Sequence, residues 1–352
     1  MLQKMAEIME YSWLLDKAAA CEDPELRLAY VAAFAVGAYP SAERTYKPFN
    51  PILGETFELS AGGMRYVAEQ VSHHPPVGAA HAEGPGWEYD ITSAPRTKFL
   101  GNRIDVYPLG RTRIRLRGEV YAIHPPQSRV NNVLVGRTWV DHFGELTVEA
   151  RTSGLVCDLV FAECGWFGAG RYTVSGTLFG PDDVPRLALE GAWNRSLSWA
   201  RCGSDGGVAE DAAWSELWAA TPPLAGDGYG FTAFAHSLNG AVSAPPGLLA
   251  SDSRLRPDRV ALQAGELGAA GVAKVALEER QRAERRRREE EGGGWRPRFF
   301  AVAEGADNLE EVDTDIWEYT GAYRRLPAPP PGAPELAAMV FSPWQWPDAP
   351  SL

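Results

Sequence analysis

The chain has 352 residues, 45% of them hydrophobic and 23% charged, and a formal net charge of -12. This balance excludes a disordered chain and argues against nonspecific binding to nucleic acid, which needs a basic surface. Local basic patches decide membrane contact, so the acidic total leaves that possibility open.

Met1 to Leu15 carries Lys4, Glu7 and Glu10 and no uninterrupted apolar core, so no signal peptide is expected. The longest apolar run, Ala29 to Tyr39, is well short of the ~20 residues of a spanning helix. Cys21, Cys157, Cys164 and Cys202 show neither Cys-x-x-Cys spacing nor a disulfide framework, which fits a reducing compartment. A soluble and, by default, cytoplasmic protein without metal or cofactor is expected.

In chain order, the first forty residues read as helix, with Leu2, Met5, Ile8, Met9 and Trp13 at helical spacing. Asp23-Pro24-Glu25 predicts the start of a second helix: an N-cap, Pro at the first position and an acid in the first turn. Leu26, Tyr30, Ala33, Phe34 and Gly37 would share its apolar face. From Ser41 to Leu238, short β-rich runs alternate with Gly, Pro and Asn-Asp breaks, the pattern of many antiparallel strands. Within it "RTRIRLR" alternates Arg111, Arg113, Arg115 and Arg117 with apolar residues, predicting an edge strand with one solvated face or a basic ridge facing a membrane. Pro245 to Arg259 reads as a connector. "AGVAKVALEERQRAERRRREEE" then predicts a charged helix, stopped by Gly292-Gly293-Gly294, and an aromatic tail packs back on the body.

"EQVSHHPP", Glu69 to Pro76, sets two histidines side by side before two prolines. Adjacent side chains on a strand point to opposite faces, so a chelating strand would use His-x-His. Pro75 and Pro76 push His74 toward an extended or turn conformation, which predicts a strand ending in a bend where both rings can turn one way. Metal site, catalytic pair, anion grip, or one packed and one exposed histidine all remain open on these residues alone. An enzyme using His73, His74 and Glu69 would lack a nucleophile elbow, a further ligand set and a second acid at useful spacing. On the late helix Lys274, Glu278 and Arg282 are spaced i, i+4, i+8 and form one slanted stripe, by itself the pattern of a solvated salt-bridged face.

Taken together, "KPFNPILGETFE", "EQVSHHPP", "GRTWVDHFGE", "CGWFGAGRY", "LLASDSRLRPDR", "LEERQR" and "FSPWQW" resemble, in order, segments of the oxysterol-binding protein family. The likeness runs from Leu2 to Trp346 and is closest to short plant-type members. It implies an α+β fold: a large near-complete antiparallel β-barrel enclosing a hydrophobic tunnel, with N-terminal helices and a C-terminal helical region. The whole chain, 1–352, would be one lipid-binding domain, with helices over 1–40, the barrel over 41–240 and the helical region and tail over 241–352.

The resemblance further implies a monomeric lipid transfer protein that is not an enzyme. It would touch membranes transiently and exchange phosphatidylinositol 4-phosphate for a sterol or, in some members, phosphatidylserine. A sensor that binds lipid without moving it is the nearest rival. The phosphate ligands carried over are Lys47, His73, His74, Lys274 and Arg282, with Asn50 and Glu278 contacting the headgroup or holding the cations. A phosphomonoester carries about -1.5 to -2 charge, which such donors can match. With phosphate bound, the histidines are expected to be partly protonated. The family's tunnel usually has an N-terminal lid ahead of the stretch that starts here at Leu2, so a lid is expected to be missing. "RFFAVAE" has two phenylalanines but lacks the flanking acids of the family's tethering motif, so packing is expected of it instead.

Overall fold

Asp23 opens the third helix as its sequence predicts: Oδ1 accepts from the backbone N–H groups of Glu25 (2.9 Å) and Leu26 (3.2 Å), with Pro24 at the first position. The computed structural model describes residues 1–46, 49–304, 314–326 and 334–344. The N-terminal helices are α1 (Leu2–Ala6), α2 (Trp13–Ala20) and α3 (Pro24–Val36), with a 3-10 turn over Glu7–Tyr11. Helical spacing therefore held across a segment that breaks twice. In α3, Leu28, Ala29 and Val31 to Val36 are all buried, so the helix is apolar around most of its girth, not along one face. A helix of that kind belongs inside a structure.

The element around it is a 15-stranded antiparallel sheet. Its first strands are β1 (Thr56–Ala61), β2 (Met64–His73), β3 (Pro76–Gly84), β4 (Trp87–Ser93), β5 (Arg96–Phe99), β6 (Arg103–Tyr107), β7 (Gly110–Leu116) and β8 (Glu119–His124). There follow β9 (Gln127–Asn131), β10 (Trp139–Ala150), β11 (Val156–Phe161), β12 (Thr173–Phe179), β13 (Pro185–Ala192), β14 (Ser196–Arg201) and β15 (Ser215–Ala219). Neighbours in the sheet are mostly neighbours in sequence. The exception is β5–β6–β9, which joins the N-terminal half of β10 as a flap.

α3 contacts β10, β11 and β15, and Phe34 meets the ring of Tyr89 on β4 at 5.8 Å. Strands far apart in the sheet thus touch one helix, which requires the sheet to curl around it. α1 to α3 and the inward strand residues, among them Phe57, Tyr66, Leu146, Leu159 and Leu197, form one core. The helices pack on the inner face of the curled sheet, not against its outside. Among the described residues β1 and β15 do not pair, so the sheet curls without closing by hydrogen bonds.

Downstream lie α4 (Ala233–Ser237), α5 (Pro257–Gln263) and α6 (Leu267–Glu290). The segment read as a connector is buried without interruption from Ser251 to Arg256, with Asp252 and Asp258 at 0% exposure. Its charges explain that. Arg254 pairs with Asp252 at 3.0 Å and donates to the carbonyl of Glu58, while Arg256 pairs with Glu55 at 2.8 Å and with Asp258. These bonds fasten the segment to β1.

The tail does return to the body. β16 (Phe300–Val302) and β17 (Trp317–Tyr319) form a hairpin, and Phe299 and Phe300 are buried on Val67, Val71, Val77 and Ala79 of β2 and β3. The two phenylalanines are packing residues. Beneath this cover Glu69 accepts from the backbone N–H groups of Arg298 (2.8 Å) and Phe299 (2.9 Å). The arginine alternation on β7 is neither an edge nor a free ridge. β7 lies between β4 and β8; Arg111 and Arg113 both donate to Glu318 of β17, Arg115 to Asp90 and Arg117 to Glu22.

Candidate functional site

β2 and β3 are joined by a hairpin whose last rung is His73 opposite Pro76, leaving His74-Pro75 as the turn, with a cis peptide between them. Pro75 and Pro76 stop the ladder as their missing N–H groups dictate. The bend brings the two imidazoles to 4.8 Å between ring centres, in an edge-to-face arrangement. His74 is exposed; His73 is half-buried, with no hydrogen-bond partner for its buried Nδ1 among the described residues. Burial lowers the pKa of His73, and the charges of His74 and Arg285 lower it further against the opposing pull of Glu278. Without an anion the site therefore favours the neutral imidazole.

Glu278 and Arg285 both lie on α6, so the charged helix faces the histidine turn. Along it Glu278 sits between two cations: Lys274 Nζ is 3.0 Å from Oε1 and Arg282 Nη2 is 3.9 Å from Oε2. All three remain substantially exposed, so neither cation is spent in a buried pair. The loop 49–55 is held to the same helix, because Leu53 N–H donates to Gln281 Oε1 (2.8 Å) and its carbonyl accepts from Trp344 Nε1 (2.9 Å). Gly54 makes that approach possible: its φ is +76°, and a Cβ there would meet the Trp295 ring at 2.6 Å.

Of the sequence-predicted residues, His73, His74, Lys274, Glu278 and Arg282 are thus gathered by one turn and one helix face. Asn50 is anchored nearby through its carbonyl, which accepts from Arg256 Nη1 at 2.8 Å, while the residue itself is exposed. Lys47 lies outside the described residues. Arg285 was missed, although it is seven positions after Glu278, hence on the same helix face. Glu69 cannot serve as a catalytic acid beside the histidines, since both its oxygens are committed to backbone N–H groups under Phe299. Among the described residues no three His, Cys, Asp or Glu side chains come together as a metal cluster, and no helix is long and apolar enough to cross a membrane.

A cavity of about 810 Å³ opens at the same end of the sheet, lined among others by Tyr11, Arg44, Tyr46, Arg137, Asn194 and Tyr229. None of the described predicted residues lines it, and its charged wall is unlike the apolar tunnel that the resemblance implies.

A sheet curled around apolar helices, with the exposed cations of α6 facing the histidine turn at one end, fits a protein that binds a lipid. The family model described as "Oxysterol-binding protein" matches residues 1–326. Oxysterol-binding protein-related protein 3C of Arabidopsis thaliana is 44% identical over 355 residues, covering 98% of this chain and 78% of the relative. The Osh1 ORD domain, solved in complex with cholesterol, superposes with a TM-score of 0.80 at 33% identity, over 92% of this chain and 80% of that one. The Osh3 ORD of Saccharomyces cerevisiae, solved in complex with PI(4)P, gives 0.74 at 30% identity, over 90% of this chain and 82% of that one. The chain belongs to the oxysterol-binding protein family.

Proposed function

We propose that this protein, acting as one lipid-binding unit, extracts phosphatidylinositol 4-phosphate at a membrane and exchanges it for a sterol at another. The observation that carries this reading is the meeting of the His73-His74 turn with the face of α6 that bears Lys274, Glu278, Arg282 and Arg285. In it, Lys47, His73, His74, Lys274 and Arg282 hold the phosphomonoester, Glu278 keeps the two helix cations extended, and Asn50 meets the inositol ring. Each close charge pair at an effective dielectric near 20 is worth roughly 4 kcal/mol before desolvation, enough to compensate for moving the headgroup out of water. Binding of the anion raises the pKa of His73 toward protonation, reversing the shift that burial produces.

Acyl chains or sterol occupy an apolar tunnel within the curled sheet. Sterol is favoured over phosphatidylserine by the interior's polar atoms. The Tyr66 hydroxyl and the indole N–H groups of Trp193 and Trp218 are buried without partners among the described residues, and they suit an apolar ligand with a neutral hydroxyl. The Osh1 and Osh3 complexes with cholesterol and PI(4)P support both halves of the exchange. The site of action is then cytoplasmic, at membrane surfaces.

Mass spectrometry of co-purifying lipids, alongside a two-liposome transfer assay, tests the proposal. His73→Ala/His74→Ala should lose the phosphoinositide, by 100-fold or more in affinity on the order of two charged hydrogen bonds, while keeping the neutral lipid. Phosphoinositide retained by that variant, or phosphatidylserine in place of sterol, would each refute the corresponding half.

A further inference from the structure

Three loop tips project large apolar side chains that nothing among the described residues covers. The β5–β6 turn exposes Phe99 and Leu100, the β9–β10 loop Leu134 and Val135 (75%), and the β11–β12 loop Trp166 (89%) and Phe167 (105%). A single exposed apolar residue is ordinary, whereas six on three adjacent tips form a feature.

The tips are built as a unit. Asn102 Oδ1 accepts from the backbone N–H groups of Leu134 and Val135, each at 2.9 Å, and its Nδ2 donates to the Val135 carbonyl at 2.9 Å. Arg171 from the third loop stacks its guanidinium 4.5 Å from the ring of Trp139, the first residue of β10, and Arg129 of β9 pairs with Glu163. Within the third loop Gly165 N–H donates to the Ala169 carbonyl at 2.8 Å. Phe167 has φ +60°, the left-handed region that a bulky residue rarely enters. The exposure of these rings is held in place by a hydrogen-bonded loop.

Ladder pairings locate the tips. His73 pairs with Pro76, Gly78 with Ser93, Ser93 with Gly110, Thr112 with Ile123 and His124 with Thr147, so those residues mark one end of the sheet. From Thr147 back to Trp139, β10 continues beyond that level and carries all three tips past the histidine turn. Lys98, Arg103 and Arg137 are exposed around them, on a chain whose total charge is -12. Glu163, an exposed acid beside the third tip, is paired with Arg129.

We infer that Phe99, Leu100, Leu134, Val135, Trp166 and Phe167 insert together into a lipid surface while Lys98, Arg103 and Arg137 meet its anionic headgroups. Separate convex tips divided by polar turns offer no groove or flat face for a folded partner. A fluid interface accepts them one by one, to a depth of about 5–10 Å. The inference draws its purpose from the lipid-exchange reading, but its physics stands without it.

Sedimentation with vesicles of phosphatidylcholine, with and without phosphatidylserine, is the test. Trp166→Ala/Phe167→Ala should weaken partition about tenfold per ring on both compositions, from lost apolar burial. Lys98→Gln/Arg137→Gln should weaken it only where phosphatidylserine is present, and less so in high salt. Both variants should melt like the parent and bind water-soluble short-chain phosphatidylinositol 4-phosphate as the parent does. An aromatic variant that sediments like the parent, or a parent that binds neither vesicle, overturns the inference. So does a parent that self-associates without vesicles when the aromatic variant does not, since a second copy would then cover the tips. If the parent fails to bind the short-chain lipid while partition still follows the tips, the exchange reading falls and this one stands.

Discussion

Two charge clusters lie close together in this molecule and behave in opposite ways. In one, Glu55, Glu58, Asp252 and Asp258 surround Arg254 and Arg256, with side chains of the ion pairs at 0–3% exposure. In the other, His73, His74, Lys274, Arg282 and Arg285 surround Glu278, with α6 side chains at 41–61% in its two ion pairs. The first has more acids than bases, and each guanidinium is already held by carboxylate and carbonyl oxygens, only the Nε of Arg254 being buried without a partner among the described residues. The second has more bases than acids and is open to water. The same residue types thus make a fastening in one place and a receptor in the other, and what separates them is burial and the ratio of donors to acceptors.

The largest effect of breaking this contrast is expected in the fastening. Asp252→Ala leaves Arg254 buried against an empty carboxylate position and removes the acceptor of the Glu58 N–H. The loss of stability should be about 3–5 kcal/mol, read by urea unfolding. A loss below ~1 kcal/mol would show that water enters the cluster and rescues the guanidinium.

A smaller effect follows from protons. Burial, helped by the nearby charge of Asp252, pushes the Glu58 carboxyl up to about 8. Between the two acids Glu58 keeps the proton, because Asp252 has Arg254 at 3.0 Å while the Glu58 carboxylate, among the described residues, accepts hydrogen bonds only from Leu249 N–H and the Tyr323 hydroxyl and feels Arg254 by charge alone. A carboxyl raised in the folded state binds protons more tightly there than in the unfolded chain. Its contribution is therefore complete below its ordinary value near 4.5 and is lost as pH rises toward 8. Melting temperature should fall from pH 6 to pH 9 by the equivalent of about 2–3 kcal/mol, and Glu58→Gln should flatten that slope. Below pH 4 the opposite trend takes over, since despite burial Arg111 and Arg113 hold Glu318, and His81 followed by Arg115 hold Asp90, below the usual carboxylate range.

How the sequence related to these clusters follows from the same contrast. The turn at His73-His74 was legible because two prolines forbid the ladder to continue, a local rule that needs no partner. The stripe on α6 was legible from helical spacing. The fastening was not: "LLASDSRLRPDR" looks like a polar connector until Asp252 and Arg254 meet β1, almost two hundred residues away, and no local pattern announces that pairing. β7 failed for the same reason, its arginines being covered by Glu318 of a hairpin that the sequence shows only as an aromatic tail. The enclosure of α3 by the sheet was visible in its Ala- and Val-rich girth, though it was read as one face.

The smallest expected change in stability, and the sharpest separation of fastening from receptor, comes from Arg285. Its charge reaches His73, yet its side chain is 57% exposed and its ion-pair partner Glu289, at 3.5 Å, is exposed as well. Arg285→Gln should therefore alter stability by less than about 0.5 kcal/mol, within the range of exposed ion pairs. At the site the cation now opposes protonation of His73, so its removal should move the His73 titration upward, as followed by imidazole NMR shifts. Affinity for the soluble headgroup should nevertheless fall severalfold, because the lost attraction to the phosphate exceeds the gain at one imidazole. An unmoved His73 titration would place Arg285 outside the receptor and leave the headgroup to Lys274 and Arg282.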